Sequence, residues 1–457
     1  MIPIAGTAVL TAAAMRAAEE QAIAAGASVE TLMQRAAAGI ADAVRRLAGV
    51  NDVLVLCGPG NNGGDGYVAA SRLHAAGRKV RVAALEEPRT PAAIAARALW
   101  SGPVEPLGDA APAPVIVDAL FGTGLTRPLA DDAAAALARL VAAASLAIAV
   151  DVPSGLATDD GRVLGTVPAM HVTLALGAVK PSHLLQPGAA RCGAVRLLPI
   201  GVAAHGDAHV LSAPHLPPPA VDSHKFSRGM VAVVRGRMVG AAQLAASAAM
   251  HAGAGYVALL GATIPAAPHA LVRRRLDDAA LGDPRIGALV IGPGLGRDGE
   301  SRATLDRALA TPHRLVIDGD ALHLLTPERL RARGGETILT PHDGEFTALF
   351  GDVDGRKLDA ARHAAARSGA TIVFKGPDTV IAAPDGRAIL SGAASSWLST
   401  AGSGDVLAGA IAAMLAEGRD PFGAAAAGVW LHGEAARRLG AAFVADDLAA
   451  ALSAARA

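Results

Sequence analysis

Two parallel α/β domains are predicted from three features of the 457-residue sequence: alternating Val/Ile/Leu runs and Ala-rich helical stretches, polar residues where those runs end, and a proline-rich break near the middle. In the first half the strand-like runs are VLVLCG from Val53, KVRVAAL from Lys79, VIVDALF from Val115, LAIAVDV from Leu146 and VTLALG from Val172. The second half has MVAVVRG from Met230, YVALLG from Tyr256, ALVIGPG from Ala288, RLVIDGD from Arg314, TILTPH from Thr337 and TIVFKG from Thr371. It ends in three Ala-rich helices from about Gly402. Between the halves, SAPHLPPPAVDS carries consecutive prolines that neither continue a helix nor sit inside a sheet. The expected division is a domain over 1–211, a linker over 212–223 and a domain over 224–457. Asn61, Asp65, Asp118, Asp151, Asp318, His342 and Lys375 stand at strand ends, the edge at which open α/β sheets bind ligands.

Composition narrows the function classes. Residues are 52% apolar and 18% charged, enough for two buried sheets. Forty-one basic residues balance 41 acidic ones, so neither nucleic acid nor a membrane surface is expected as a partner. The run Arg273-Arg274-Arg275 reads as a solvated face. Cys57 and Cys192 are too few for a disulfide framework, and Cys57 reads as a small buried hydrophobe. The N-terminal stretch carries Arg16, Glu19 and Glu20 and reads as an amphipathic helix, not a signal peptide, and no apolar run is long enough to span a membrane. The expected location is the cytoplasm.

After the first strand, Gly58-Pro-Gly60-Asn-Asn-Gly63-Gly64-Asp65-Gly66 leads into a helix. Gly58, Gly60 and Gly63, with Glu86 after the next strand, also satisfy a dinucleotide fingerprint, so a dehydrogenase is one reading. Against it, Asn61, Asn62 and Asp65 crowd the turn, and a carboxylate at a helix N-terminus repels a phosphate bound there. Asn62, Asp118 and Ser154 offer hard oxygen ligands suited to an alkali or alkaline-earth cation.

GNNGGDGYVAA, VDALFGTGLTRPL and VDVPSGL, with the opening AAAMRAAEEQAIAAGASVETLMQRA, resemble the NAD(P)H-hydrate epimerase domain over roughly residues 1–210. The resemblance implies a Rossmann-like α/β/α fold that interconverts the R and S forms of NADHX and NADPHX, cofactors hydrated at C6 of the nicotinamide ring. It further implies that Asn62, Asp118 and Ser154 bind potassium. Asn61, Asn62, Gly63, Gly64 and Asp65 would line the substrate site together with Gly122, Thr123, Gly124, Leu125, Thr126, Arg127, Pro128 and Asp151. Asp151 ends a strongly apolar strand, where desolvation is expected to raise its proton affinity for acid–base work.

In the second half, Ser399-Thr-Ala-Gly402-Ser403-Gly404-Asp405 opens an Ala-rich helix. Small residues there expose backbone amides to an anion, and Asp405 in the first turn can take a proton from an attacking hydroxyl. This GxGD pattern resembles the ribokinase-like superfamily. With AAQLAASAAMHAGAGYVALL, ALVIGPGLGRD, LVIDGDALHLL, ILTPHDGEF, TIVFKGPDTVI and GVWLHGEAARR it resembles the ADP-dependent NAD(P)H-hydrate dehydratase family over nearly all of residues 222–457. That family phosphorylates the C6 hydroxyl of the S-hydrate and then expels phosphate, a better leaving group than water. Lys375, Gly376, Pro377, Asp378, Thr379 and Gly404 would hold the nucleotide, ADP with Mg2+. Ala254, Gly294, His342 and Asp405 would contact the hydrate.

Four positions depart from the family pattern: Arg235 and Arg237 in the stretch after the first strand, Gly319 for the usual alanine, and His323 for the usual asparagine. The resemblance implies NADHX, NADPHX and ADP as small-molecule partners, and a homo-oligomer is expected. Two further readings remain: a ribokinase-type small-molecule kinase with an unrelated N-terminal module, and a dehydratase whose N-terminal domain is a scaffold without catalysis.

Overall fold

The computed structural model describes residues 1–261, 268–352 and 356–457. The chain divides into two compact units, Met1–Val210 and Leu211–Ala457.

The strands of the first unit are β1 (Val53–Cys57), β2 (Val80–Ala84), β3 (Val104–Pro106), β4 (Val115–Ala119), β5 (Leu146–Val150), β6 (Val172–Leu176), β7 (Ala194–Leu198) and a short β8 (Ala208–Val210). Strands β1 to β7 form one parallel sheet in the order β3-β2-β1-β4-β5-β6-β7. Every residue of β1 and of β4 is buried, as a parallel sheet covered on both faces demands. The order reverses between β1 and β4, and the loops leaving those strands open a crevice at their C-terminal ends. Helix Asn61–Ala75 leaves β1 at this point. A Cβ on Gly63 would lie 1.9 Å from the Gly58 carbonyl oxygen, so glycine is needed where the helix turns back onto the strand.

In the second unit β9 (Met230–Val234), β10 (Tyr256–Leu260), β11 (Val272–Arg274), β12 (Ile286–Ile291), β13 (Leu315–Ile317), β14 (Thr337–Leu339) and β15 (Thr371–Phe374) run parallel. β16 (Thr379–Ala382) and β17 (Ala388–Ser391) follow antiparallel. The order is β11-β10-β9-β12-β13-β14-β15-β16-β17, with a reversal between β9 and β12. The predicted C-terminal helices are Ser403–Ala416, Pro421–Leu439 and Ala445–Arg456. A Cβ on Gly409 would stand 2.1 Å from the Ala245 carbonyl oxygen, so the first of them packs backbone-close on helix Val239–His251. That contact fixes where Gly402 to Asp405 begin.

The sequence reading lacked β3, β7, β8, β11, β16 and β17. β3 and β11 are three-residue edge strands, β7 alternates exposed and buried residues, and β16–β17 is a hairpin among parallel strands. Arg273 and Arg274, expected on a solvated face, instead form part of β11, and Arg274 pairs with the buried carboxylate of Asp283. Both cysteines are free and buried, and no helix among the described residues is long and apolar enough to cross a membrane.

Candidate active sites

In the first unit a cavity of about 600 Å³ opens at the β1–β4 crevice, and Asn61, Asn62, Asp65, Asp151 and the loop Gly122 to Arg127 line it. Gly63, Gly64 and Pro128 are not part of that lining; a Cβ on Gly64 would strike the Met33 side chain, so its place is in helix packing. Asn61 accepts a hydrogen bond from the Thr90 hydroxyl at 2.6 Å. Glu86, the acid a dehydrogenase would turn to a ribose, is instead exposed and bonded to Arg89.

Asp151 follows β5 with φ 66°, a left-handed conformation that costs a non-glycine residue of order 1–3 kcal/mol. Its surroundings hold it there. The carboxylate accepts from the Thr123 amide at 3.0 Å and the Leu176 amide at 3.3 Å, and it pairs with the buried Lys180 ammonium. Lys180 also donates to the Leu176 carbonyl at 2.7 Å. The Lys180 amide donates to His183 Nδ1 at 3.0 Å, which leaves the ring proton on Nε2 to bond the Asp151 carbonyl at 2.7 Å. Burial and Lys180 pull the His183 pKa down to about 4, so the ring is neutral in this role.

The expected rise in Asp151 proton affinity is overturned. Burial does oppose its charge, but Lys180 and the amide donors outweigh burial, and the carboxyl is held below its ordinary range. The raised carboxyls are its neighbours. Burial, then the charges of Asp151 and Glu19, push Asp65 well above the usual carboxylate range. Burial and Asp151 also raise Glu19. Sequence reasoning missed both Lys180 and Glu19 as site residues. A lysine placed just beyond the buried run VTLALGAV was the available signal for Lys180.

Asp118 and Ser154 sit behind the cavity. The Ser154 hydroxyl donates to Asp118 at 2.7 Å, its amide donates to the same carboxylate at 2.9 Å, and the Phe121 carbonyl lies 3.2 Å from the hydroxyl. Asn62 reaches towards the Val150 carbonyl at 3.5 Å, and its Oδ1 faces Gly122, the residue after Phe121. All of these are hard oxygen donors of the kind an alkali cation takes, and the Ser154 hydroxyl proton has a second acceptor in the Phe121 carbonyl.

In the second unit the polar residues gather around Lys375. Its ammonium donates to Asp318 at 2.8 Å and lies 3.9 Å from Glu345, and the Thr340 hydroxyl donates to the same Asp318 oxygen at 2.6 Å. A Cβ on Gly404 would stand 3.3 Å from Lys375 Nζ, which places this ion pair at the mouth of helix Ser403–Ala416. Burial, then the charge of Asp318, push the Asp405 pKa up to about 6, against the pull of Lys375. Burial would lower the Lys375 pKa, but Asp318 and Glu345 hold it above the ordinary lysine value. Gly402 caps the helix at φ 85°, and the His432 ring bonds the Ser403 carbonyl at 2.9 Å.

The remaining predicted residues divide. His342 caps helix Asp343–Phe350, its Nδ1 accepting from the Glu345 amide at 3.3 Å while Glu345 accepts from the His342 amide at 2.9 Å. Gly376 and Pro377 are exposed in the turn between β15 and β16, with Thr379 at its end. The Asp378 carboxylate turns inward to Lys357 at 2.6 Å. Gly294, at φ 57°, lies on the loop after β12, and Asp320 ties that loop down by accepting from the Gly296 amide at 3.0 Å. Ala254 precedes β10 at the opposite, N-terminal edge of the sheet and is buried, so the structure does not bring it to Lys375 and Asp405. Gly319 adopts φ 55°, which explains glycine there; nothing in the structure explains His323.

A Rossmann-like unit with a carboxylate-rich crevice, joined in one chain to a ribokinase-like unit with an acid in the first turn of a Gly-capped helix, defines a two-site enzyme of nucleotide chemistry. Comparison with known proteins makes this specific. The NAD(P)H-hydrate dehydratase family model matches residues 231–456, and the model for the YjeF-related protein N-terminus matches residues 29–182. The bifunctional NAD(P)H-hydrate repair enzyme of Thermofilum pendens is 35% identical over 457 residues, spanning 89% of this chain and 87% of its own. The Mycobacterium tuberculosis enzyme of the same description is 37% identical over 422 residues, spanning 87% and 86%. A solved ADP/ATP-dependent NAD(P)H-hydrate dehydratase from Bacillus subtilis, co-crystallised with ATP/Mg2+, is 31% identical over 52% of this chain and 93% of that one, with a TM-score of 0.47. The chain belongs to the family of bifunctional NAD(P)H-hydrate repair enzymes.

Proposed function

We propose that the second unit dehydrates S-NADHX and S-NADPHX with ADP as phosphoryl donor, and that the first unit interconverts the R and S hydrates that feed it. The observation that carries this reading is the meeting of Asp405, Lys375 and Gly404 at the start of helix Ser403–Ala416. Asp405, ionised above about pH 6, accepts the C6 hydroxyl proton as that oxygen attacks the β-phosphorus of ADP and AMP leaves. Lys375 and the helix-start amides balance the charge on the transferring group. Phosphate then departs with the C6–O bond, C5 gives up a proton, and the ring double bond returns. NAD(P)H, AMP and phosphate are the products.

Among the described residues no group of three or more His, Cys, Asp or Glu side chains is placed to cage a metal. Mg2+ fits here as the ion of the nucleotide complex, for which one or two carboxylates suffice, and its contribution is to neutralise phosphate charge. Gly376, Pro377 and Thr379 face the nucleotide, and Gly294 and His342 the hydrate. In the first unit Asp151 transfers the proton of the C6 hydroxyl as the hemiaminal opens and recloses, the Gly122 to Arg127 loop orients the substrate, and Asn62, Asp118 and Ser154 hold potassium. Cytoplasmic residence and a homo-oligomeric assembly belong to the same proposal.

Incubation of the protein with mixed R and S hydrates of NADH, with ADP or with ATP, tests the reading by recovery of dihydronicotinamide absorbance. Complete recovery with release of AMP and phosphate is expected with ADP. A stable phosphorylated product would instead indicate a small-molecule kinase.

A further inference from the structure

The two arginines that depart from the family pattern line a second cavity. It measures about 520 Å³ and lies among the loops after β9, β10 and β12, with Arg235, Arg237, Gly261, Leu295, Glu300 and Arg307 in its wall. This is where the strand order reverses, the place at which open α/β sheets take ligands. A Cβ on Gly236 would lie 2.3 Å from the Gly294 carbonyl oxygen, so the arginine loop rests directly on the loop assigned to the hydrate.

The charges of the wall are unevenly matched. Arg237 is paired with Asp298 and Glu300, and Arg307 with Asp278. Arg235 has no carboxylate partner among the described residues: its Nη1 donates to the Gly261 carbonyl at 2.9 Å, and its Nε is buried without an acceptor. A half-buried guanidinium in that condition lacks an oxyanion.

The geometry of the sheet says which oxyanion. β9 lies two strand positions from β13, which leads into Asp318, so the cavity stands about 10 Å or more from the reacting hydroxyl at ordinary strand spacing. In the proposed reaction ADP takes the other flank, at the β15–β16 turn. The adenosine half of the hydrated dinucleotide must therefore leave along β12 and β9. We propose that this cavity is a phosphoryl subsite in which Arg235 receives the adenosine 2′-phosphate of NADPHX. The inference rests on the dehydratase reading. A phosphomonoester brings a charge of about −1.5 to −2 and free oxygens for a forked donor, whereas each phosphorus of the pyrophosphate link brings only one charge.

The test is Arg235→Gln in the full chain, with S-NADPHX and S-NADHX compared at saturating ADP. Loss of one charge-assisted contact is expected to lower kcat/KM for NADPHX about 10- to 100-fold through KM and to leave NADHX within about twofold. Parallel losses on both substrates would mean a pyrophosphate contact, and no loss on either would mean that Arg235 meets no ligand; each overturns the proposal. Calorimetric titration of the wild-type chain with adenosine 2′,5′-bisphosphate and with AMP depends on neither turnover nor the folding of a variant. Tighter binding of the bisphosphate is expected, and equal affinities would also overturn the subsite. If wild type dehydrates neither hydrate yet prefers the bisphosphate, the dehydratase reading fails and the subsite stands.

Discussion

Lys180 and Asp151 form an ion pair inside the first unit with side chains only 1% and 8% exposed. The lysine follows β6 and the aspartate follows β5, so neighbouring parallel strands deliver opposite charges to one edge of the cavity. Removing one member of such a pair strands the other charge, at a cost of roughly 3–5 kcal/mol. Lys180→Met is therefore expected to lower the thermal midpoint measured by calorimetry and to move the epimerase pH profile upward. The sign follows from linkage. Asp151 is depressed in the native protein, so its stabilisation is present above the unfolded carboxylate pKa and is lost as pH falls through the lower native value. Without Lys180, burial is opposed by the amide donors only, and the carboxyl is expected to rise. An unchanged acid limb in a folded variant would show that Asp151 does not set the rate.

Asp405 behaves in the opposite sense. Its native pKa of about 6 lies above the unfolded value, so its contribution to stability is complete below the unfolded pKa and is lost as pH rises through about 6. Asp405→Asn is expected to abolish dehydration, to leave R/S interconversion near wild type, and to raise the thermal midpoint at pH 8 relative to wild type. The wild-type kcat/KM for dehydration should fall about tenfold per pH unit on the acid side of about pH 6. An Asp405→Ala variant serves as a second control, and loss of epimerisation along with dehydration in either folded variant would contradict separate sites.

Ser154→Ala separates cation binding from packing better than changes at Asp118, which anchors two backbone amides as well as Ser154. The substitution removes one neutral donor to a carboxylate, worth about 1–3 kcal/mol, and one oxygen of the proposed potassium shell. Potassium titrated against epimerase rate should show half-saturation moving to higher concentration, with the dehydratase rate unaltered. The same half-saturation in wild type and variant would remove Ser154 from the shell.

How far the sequence revealed all this depends on periodicity and spacing. The buried parallel strands were legible because each is a continuous apolar run, and β9, β12 and β15 begin within two residues of the predicted starts. Edge strands were not: β11 is basic and β3 ends in proline, so neither carries a core pattern. Asn61 and Asp65 were legible because a Gly-rich turn flagged them, and Asp151 because it ends a strongly apolar strand. Lys180 was missed because its partner lies 29 residues away, a distance no local pattern reports. The same blindness reversed the expected Asp151 shift, since burial was inferred from the strand while the compensating ammonium was not. Asp378 shows the converse, the family resemblance implying a nucleotide contact while its carboxylate faces Lys357.

Each unit holds its own set of parallel strands, its own apolar core and its own polar site, so each is expected to fold and act by itself. A fragment over residues 1–210 should interconvert the R and S hydrates without nucleotide, because the cavity from Asn61 to Lys180 lies wholly within it. A fragment over residues 211–457 should consume only the S hydrate with ADP, since Asp318, Lys375 and Asp405 all come from that stretch. Given equal amounts of the two hydrates, the second fragment alone should stall at about half conversion, limited thereafter by slow spontaneous epimerisation. Adding the first fragment should release the remainder at a rate proportional to its concentration. Circular dichroism of each fragment checks that folding, not activity, is the common requirement. If the second fragment alone rapidly consumes both hydrates, the first unit has another role, and a non-catalytic scaffold becomes the better account of residues 1–210.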